Sequence, residues 1–374
     1  MKLTQLHTAA LIALGIVSQA SAIDYVYITG STAARNAAYD TLNSTNVFDA
    51  LPVIITQGNA TAKKCTYMTF KGTIGGTTNY IKCDWSGSEG GIQDLAIGST
   101  QPFLDDTATS GTTSSGPFVN STVDLAFADN DKAYSRNPTA AITGTKVCVI
   151  PFAFVKEKGS ATNLVNVTDQ QVRKALTGGV KTALITGNTN DLGYTYVSGR
   201  DNLSGTRVNA FGVTGFGIFT TPSQIEVNSS GAMIDVDASG SYAGDWGYPS
   251  GGTLATQMGY DLSASSDSIV GSGKFSVIGY LGRSDASTGV SNGGTELSYN
   301  GVFESTASVI EGQYNFWGNE YVYRKNSPTS QATTVYNKLV AVTGVNKASD
   351  GLTTIDLGLM HATRNGPTSD PFHN

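Results

Sequence analysis

Residues 198–207 read Ser198-Gly199-Arg200-Asp201-Asn202-Leu203-Ser204-Gly205-Thr206-Arg207, a guanidinium and two hydroxyls around a Ser-Gly-Thr turn. The run before it (Leu192, Tyr194, Tyr196, Val197) reads as a strand, and Val208-Asn209-Ala210-Phe211 reads as the opening of a helix. A strand that enters a helix this way leaves the first helical N–H groups unpaired, and the helix dipole adds positive charge there. With Arg200 nearby, the chemistry on offer is the holding of an oxyanion. The other reading is an ordinary Ser or Thr cap beside a solvated Arg. Two more loops share the pattern. Thr29-Gly30-Ser31-Thr32 links an apolar strand at 23–28 to the helix-forming 33–39, and Ser86-Gly87-Ser88-Glu89-Gly90-Gly91 opens onto Ile92-Gln93-Asp94-Leu95-Ala96.

The elements that must position these loops alternate. A strand at 123–128 ends on an acid, Asp129, and a β-rich run at 145–155 is interrupted by Pro151. Residues 167–176 read as a capped amphipathic helix stopped by Gly178-Gly179. Strands follow near 274–281 and 314–323, with a helix at 331–343. The Gly/Ser-rich 212–272 region yields no assigned element, and 366–374 reads as frayed. Alternating strands and helices with polar Gly loops at strand ends imply an α/β fold with ligand contacts at the carboxyl ends of the strands.

Residues 1–22 have the charged start, short apolar core and Ala20-Ser21-Ala22 ending of a secretory signal cleaved after Ala22, so a periplasmic or secreted protein is expected. The net charge is −6 with 14% charged residues and no basic cluster, which argues against nucleic acid or an anionic membrane as partner. Cys65 and Cys83 flank two alternating runs joined at Gly75-Gly76, so a hairpin with a disulfide between them is expected. Cys148 reads as a buried small hydrophobe, and the positions of His7, His361 and His373 offer no metal site. No cofactor is implied.

In family order, several segments resemble the solute-binding proteins of ABC phosphate importers. They are Thr29-Gly30-Ser31-Thr32, Gly87-Ser88-Glu89-Gly90-Gly91-Ile92, 124–129, Val149-Ile150-Pro151-Phe152-Ala153-Phe154 and 164–178. Arg200 to Thr206, Ile278-Gly279-Tyr280 and Leu297-Ser298-Tyr299-Asn300-Gly301-Val302 complete the series. The resemblance implies the type II periplasmic binding fold: two doubly wound α/β lobes, a two-strand hinge, and a ligand cleft between them. Lobe 1 would hold 23–150 plus 318–374 and lobe 2 would hold 151–317, with crossovers near 150–153 and 316–321. Carried over by motif, Ser31, Thr32, Ala33, Ser88 and Asp129 of the first lobe would meet Arg200, Asn202, Ser204, Gly205 and Thr206 of the second. The implied partners are inorganic phosphate or a related oxyanion and an ABC permease, with the chain itself a monomer.

Three positions depart from the family pattern. Ala33 stands where an aromatic residue is usual. Asn202 stands where an acid usually orients the arginine, with Asp201 one place early. Glu89 follows Ser88, and its carboxylate must point away from any bound anion. Arg207, one turn into the helix, is expected to be solvated. Asp129 carries the specificity argument: an ionised carboxylate only accepts a hydrogen bond, so it suits protonated phosphate and repels sulfate. Its other reading is a cap on the segment that follows through Asn130 and Asp131. The alternative for the whole chain is a structural or adhesive exported protein that keeps the fold without transporting an anion. No mature-chain His lies near a candidate nucleophile, so a hydrolase is not expected.

Overall fold

The computed structural model describes residues 23–58, 62–113, 115–234, 245–271 and 273–373. The proposed signal segment, part of the Gly/Ser-rich region and Asn374 lie outside them. In chain order come β1 (Asp24–Gly30), α1 (Arg35–Leu42), β2 (Val53–Thr56), β3 (Tyr67–Ile74), β4 (Thr77–Asp84) and α2 (Ser88–Ile97). Next are β5 (Thr100–Leu104), β6 (Phe118–Thr122), β7 (Leu125–Ala128), β8 (Ile142–Lys156), β9 (Asn166–Val167) and α3 (Asp169–Ala175). The chain continues through β10 (Val180–Lys181), α4 (Thr182–Thr186), β11 (Tyr194–Ser198), α5 (Gly205–Val213), α6 (Gly251–Gln257) and β12 (Phe275–Gly282). It closes with α7 (Arg283–Ser291), β13 (Thr295–Tyr299), α8 (Thr306–Ile310), β14 (Trp317–Lys325), α9 (Ser330–Val340), β15 (Ala362–Thr363) and β16 (Phe372–His373).

One sheet runs β10-β11-β12-β8-β14-β7-β1-β4-β3-β2, with β13 also on β8 and β9 on β13. The long β8 is shared by two halves of it. Its residues 142–151 pair with β14, and 152–156 pair with β12 and β13. The change of partner falls at Pro151, which has no N–H to donate to a ladder. The chain returns beside the same point, where Phe152 donates to the Phe316 carbonyl at 3.0 Å. Phe152 and Phe154 pack on Phe316 with ring centroids 5.2 and 4.8 Å apart. Every residue of β12 is buried, as its near-continuous apolar run requires of a strand covered on both faces.

The strand directions bring the polar loops together. β1 runs parallel to β4 and to β7, so the loops at 31–34 and 85–87 and the residue Asp129 all leave one edge of the sheet. β11 runs parallel to β12, which places 199–204 beside the start of α7. These are the carboxyl ends at which an α/β sheet exposes helix N-termini.

Two expectations are corrected. Among the described residues no disulfide joins Cys65, Cys83 or Cys148. The tight turn at Gly75-Gly76 fixes the β3–β4 register so that Cys83 faces Met68, while Cys65 precedes the strand and donates to the Gln57 carbonyl at 3.0 Å. The tail is ordered, not frayed: β15 pairs with β16. Arg364 between them is buried and donates to the carbonyls of Asn315, Trp317, Gly366, Pro367 and Ser369 at 2.6–2.9 Å.

Candidate functional site

Ser88 is the first residue of α2 and Gly205 the first of α5, and the two helix starts meet over Asp129. The Ser88 hydroxyl donates to Asp129 Oδ1 at 2.8 Å, and the nearby Thr206 hydroxyl favours the ionised form of this carboxylate. A side chain at Gly205 has no room, because its Cβ would stand 1.6 Å from Asp129 Oδ1 and 2.6 Å from Ser88 Oγ. Gly87 is needed for a different reason. Its φ is 107°, and a Cβ there would press on the Leu203 carbonyl at 2.7 Å. That carbonyl accepts the Glu89 and Gly90 N–H groups at 2.9 and 3.4 Å. Asn209, one turn along α5 from Gly205, donates to the carbonyls of Asp129 at 2.8 Å and Gly205 at 3.0 Å. The β7 end and the α5 start are thus latched together. Asn209 was not singled out in the sequence, although its i, i+4 spacing from Gly205 places both on one helix face.

Asp129 is fully buried, and burial pushes its carboxyl up to about 6 against the pull of the Ser88 hydroxyl, the Arg200 charge and the Thr206 hydroxyl. The cap expected of Asp129 on its other reading belongs to Asp131, whose carboxylate accepts the Ala133 N–H at 2.9 Å. Beside Asp129, Glu320 of β14 is 0% exposed, with Ser31 and Asp129 as polar neighbours. Burial first, then the Asp129 charge, hold it well above the usual carboxyl range.

Arg200 is buried, and two carbonyls aim its guanidinium: Nε donates to Tyr248 at 3.0 Å and Nη2 to Pro249 at 2.9 Å. Those carbonyls do the work expected of an acid at position 202. Asn202 lies partly exposed at the cleft rim, and Asp201 closes its own turn on the Leu203 N–H at 3.1 Å. Arg207 is not solvated: it is 3% exposed, ion-paired with Asp245 and stacked 5.0 Å from the Phe211 ring centroid. Glu89 does turn away. Its carboxylate accepts Asn130 Nδ2 at 2.8 Å and the Arg136 N–H at 3.1 Å.

The remaining residues divide. The Ser204 hydroxyl caps α5 by accepting the Arg207 N–H at 3.3 Å. The Ala33 N–H donates to Ser31 Oγ at 3.2 Å, so it is engaged within its own loop. Thr32 faces a cavity lined also by Arg35, Lys64, Trp85 and Asp285, none of which the sequence motifs marked. The structure therefore brings Ser88, Asp129, Gly205 and Thr206 into contact, sets Ser31 and Arg200 near them, and leaves Asn202 at the rim. Among the described residues no cluster of His, Cys, Asp or Glu is placed to hold a metal ion.

The overall fold is similar to that of solved structures. A Clostridium perfringens protein described as a phosphate ABC transporter substrate-binding protein, with phosphate bound, superposes with a TM-score of 0.54. The likeness covers 89% of this chain and 100% of that one at 14% identity. This is the type II periplasmic binding protein fold. An ABC-type phosphate transport receptor from Vibrio cholerae gives 0.44 over 82% of this chain and 90% of that one at 13% identity. A phosphate-binding protein from Stenotrophomonas maltophilia gives 0.45 over 89% and 90% at 12% identity. The fold assignment rests on the first. No family model matches the chain, and no curated protein does.

Proposed function

We propose that this chain is an exported solute-binding protein that closes two lobes on phosphate or a similar oxyanion and delivers it to an ABC permease. One observation carries this: a buried carboxylate, two hydroxyls and two helix starts from opposite halves of the sheet converge beside a buried arginine. Fixed N–H and O–H donors with one cation neutralise an oxyanion without acting on it chemically. The carboxylate adds selection for an anion that still carries a proton. The Ser88–Asp129 pair is not joined by His361, which pairs with Glu311 instead, so binding is the reading and catalysis is not. The Clostridium perfringens protein of like fold was solved with phosphate, which is consistent with this ligand class.

The test is calorimetric titration with phosphate of the wild type, Arg200→Ala and Arg207→Ala. Loss of a desolvated charge partner costs roughly 2–5 kcal/mol, so Arg200→Ala should weaken binding at least about thirtyfold. Arg207→Ala should lower stability through its lost Asp245 pair and change affinity far less. Unchanged affinity in Arg200→Ala would count against the assignment.

A further inference from the structure

A cavity of about 210 Å³ opens between the Thr32 loop, Trp85 and the start of α6, and its charges are unspent. Arg35, the first residue of α1, gives Nη1 to the Cys65 carbonyl at 3.3 Å, while its buried Nε has no hydrogen-bond partner. Lys64 is exposed at the rim and forms no ion pair among the described residues. Asp285 faces them from α7, its carboxylate pressed against the start of α6, where a Cβ on Gly251 would meet Oδ2 at 2.0 Å. Arg35, Arg200 and Lys64 all act on it through space without pairing with it. Arg200 acts on Asp129 as well, so one guanidinium is within electrostatic reach of both Asp285 in this cavity and the Ser88–Asp129 cluster.

We propose that this cavity is a second subsite for the organic part of the ligand, and that the ligand is a small phosphate ester bearing a carboxylate. The inference rests on the oxyanion-binding reading above, with the phosphate end at the cluster in its singly protonated form, so that a monoester (second pKa about 6) takes up one proton on binding at neutral pH. Size argues for an organic group of a few carbons. The cavity far exceeds the ~10–15 Å³ that one water needs, and it falls short of the ~300 Å³ at which drug-sized pockets begin. Charge selects the group. Three cations around one carboxylate repel an ammonium, whereas a carboxylate matches the donor fork of Arg35 and the point charge of Lys64. Asp285 accepts a hydrogen bond from a ligand hydroxyl, or donates one to the ligand carboxylate when protonated.

The experiment is calorimetric titration of the purified protein with orthophosphate, glycerol 3-phosphate and 3-phosphoglycerate, repeated on Arg35→Gln and Lys64→Gln. The wild type should bind 3-phosphoglycerate at least tenfold more tightly than either of the other two. Each substitution should remove most of that advantage while orthophosphate affinity stays within twofold and the melting temperature is held. Orthophosphate as the tightest ligand, or an ester advantage that survives both substitutions, overturns the second subsite alone. Binding of none of the three overturns the oxyanion-binding reading along with it.

Discussion

Asp129 concentrates the electrostatics of the cleft, and its titration is measurable. A carboxyl pushed up to about 6 in the folded protein holds its proton where the unfolded chain, near 3.9, has released it. The native state therefore binds more protons between those values, and stability falls as pH rises from about 4 to about 6. The full difference is about 3 kcal/mol for a group buried this completely. Other buried acids, Glu320 among them, contribute in the same direction. Denaturant unfolding of wild type and Asp129→Asn at pH 4.5 and 7 isolates the residue: the variant should lose less stability across that interval. An identical pH slope in both would mean that Asp129 is ionised without penalty. A second buried position gives a parallel test. Glu320→Gln keeps the shape and removes a carboxyl held well above the usual range, so in denaturant unfolding the variant should gain stability relative to wild type as pH rises past the ordinary carboxyl range.

At the scale of elements, much was legible and some was not. The strand–loop–helix units around Ser31, Ser88 and Ser204 announce themselves because each places a Gly and a hydroxyl between an apolar run and a helix-forming one. Contacts across elements carry no such signal. Arg207 reads as solvated until Asp245, distant in sequence, arrives to pair with it. Arg35, Lys64 and Asp285 belong to α1, the turn before β3, and α7, and no local spacing joins them. The expected disulfide failed on register, which the turn sets and composition does not. Thiol titration should accordingly find three free thiols in the denatured, unreduced protein, and fewer than three would restore a bridge. The tail misled for a similar reason: its polar composition suggests fraying, yet Arg364 pins it to the carbonyls around Trp317. Arg364→Ala leaves those buried carbonyls unpaired and should cost about 3 kcal/mol or more, read by denaturant unfolding. A cost below about 1 kcal/mol would show that the tail is held by something else.

For the whole molecule, β8 and β14 carry the chain between the two halves of the sheet, and the cleft closes beside them. Gly205 against Asp129, Leu203 against α2 and Asn209 against the end of β7 join the halves directly. Such contacts suit a protein that encloses its ligand, because each half alone offers only part of the donor set. Closure should then register the protonation state of the anion through the Asp129 carboxylate. The most direct measurement is a paired calorimetric titration of wild type and Asp129→Asn with phosphate and with sulfate at neutral pH. Phosphate should bind the wild type and sulfate should not compete, while Asp129→Asn should take up sulfate and lose most of the discrimination. A wild type that binds neither anion at millimolar concentration, or a variant that keeps the original phosphate-to-sulfate ratio, would contradict the account.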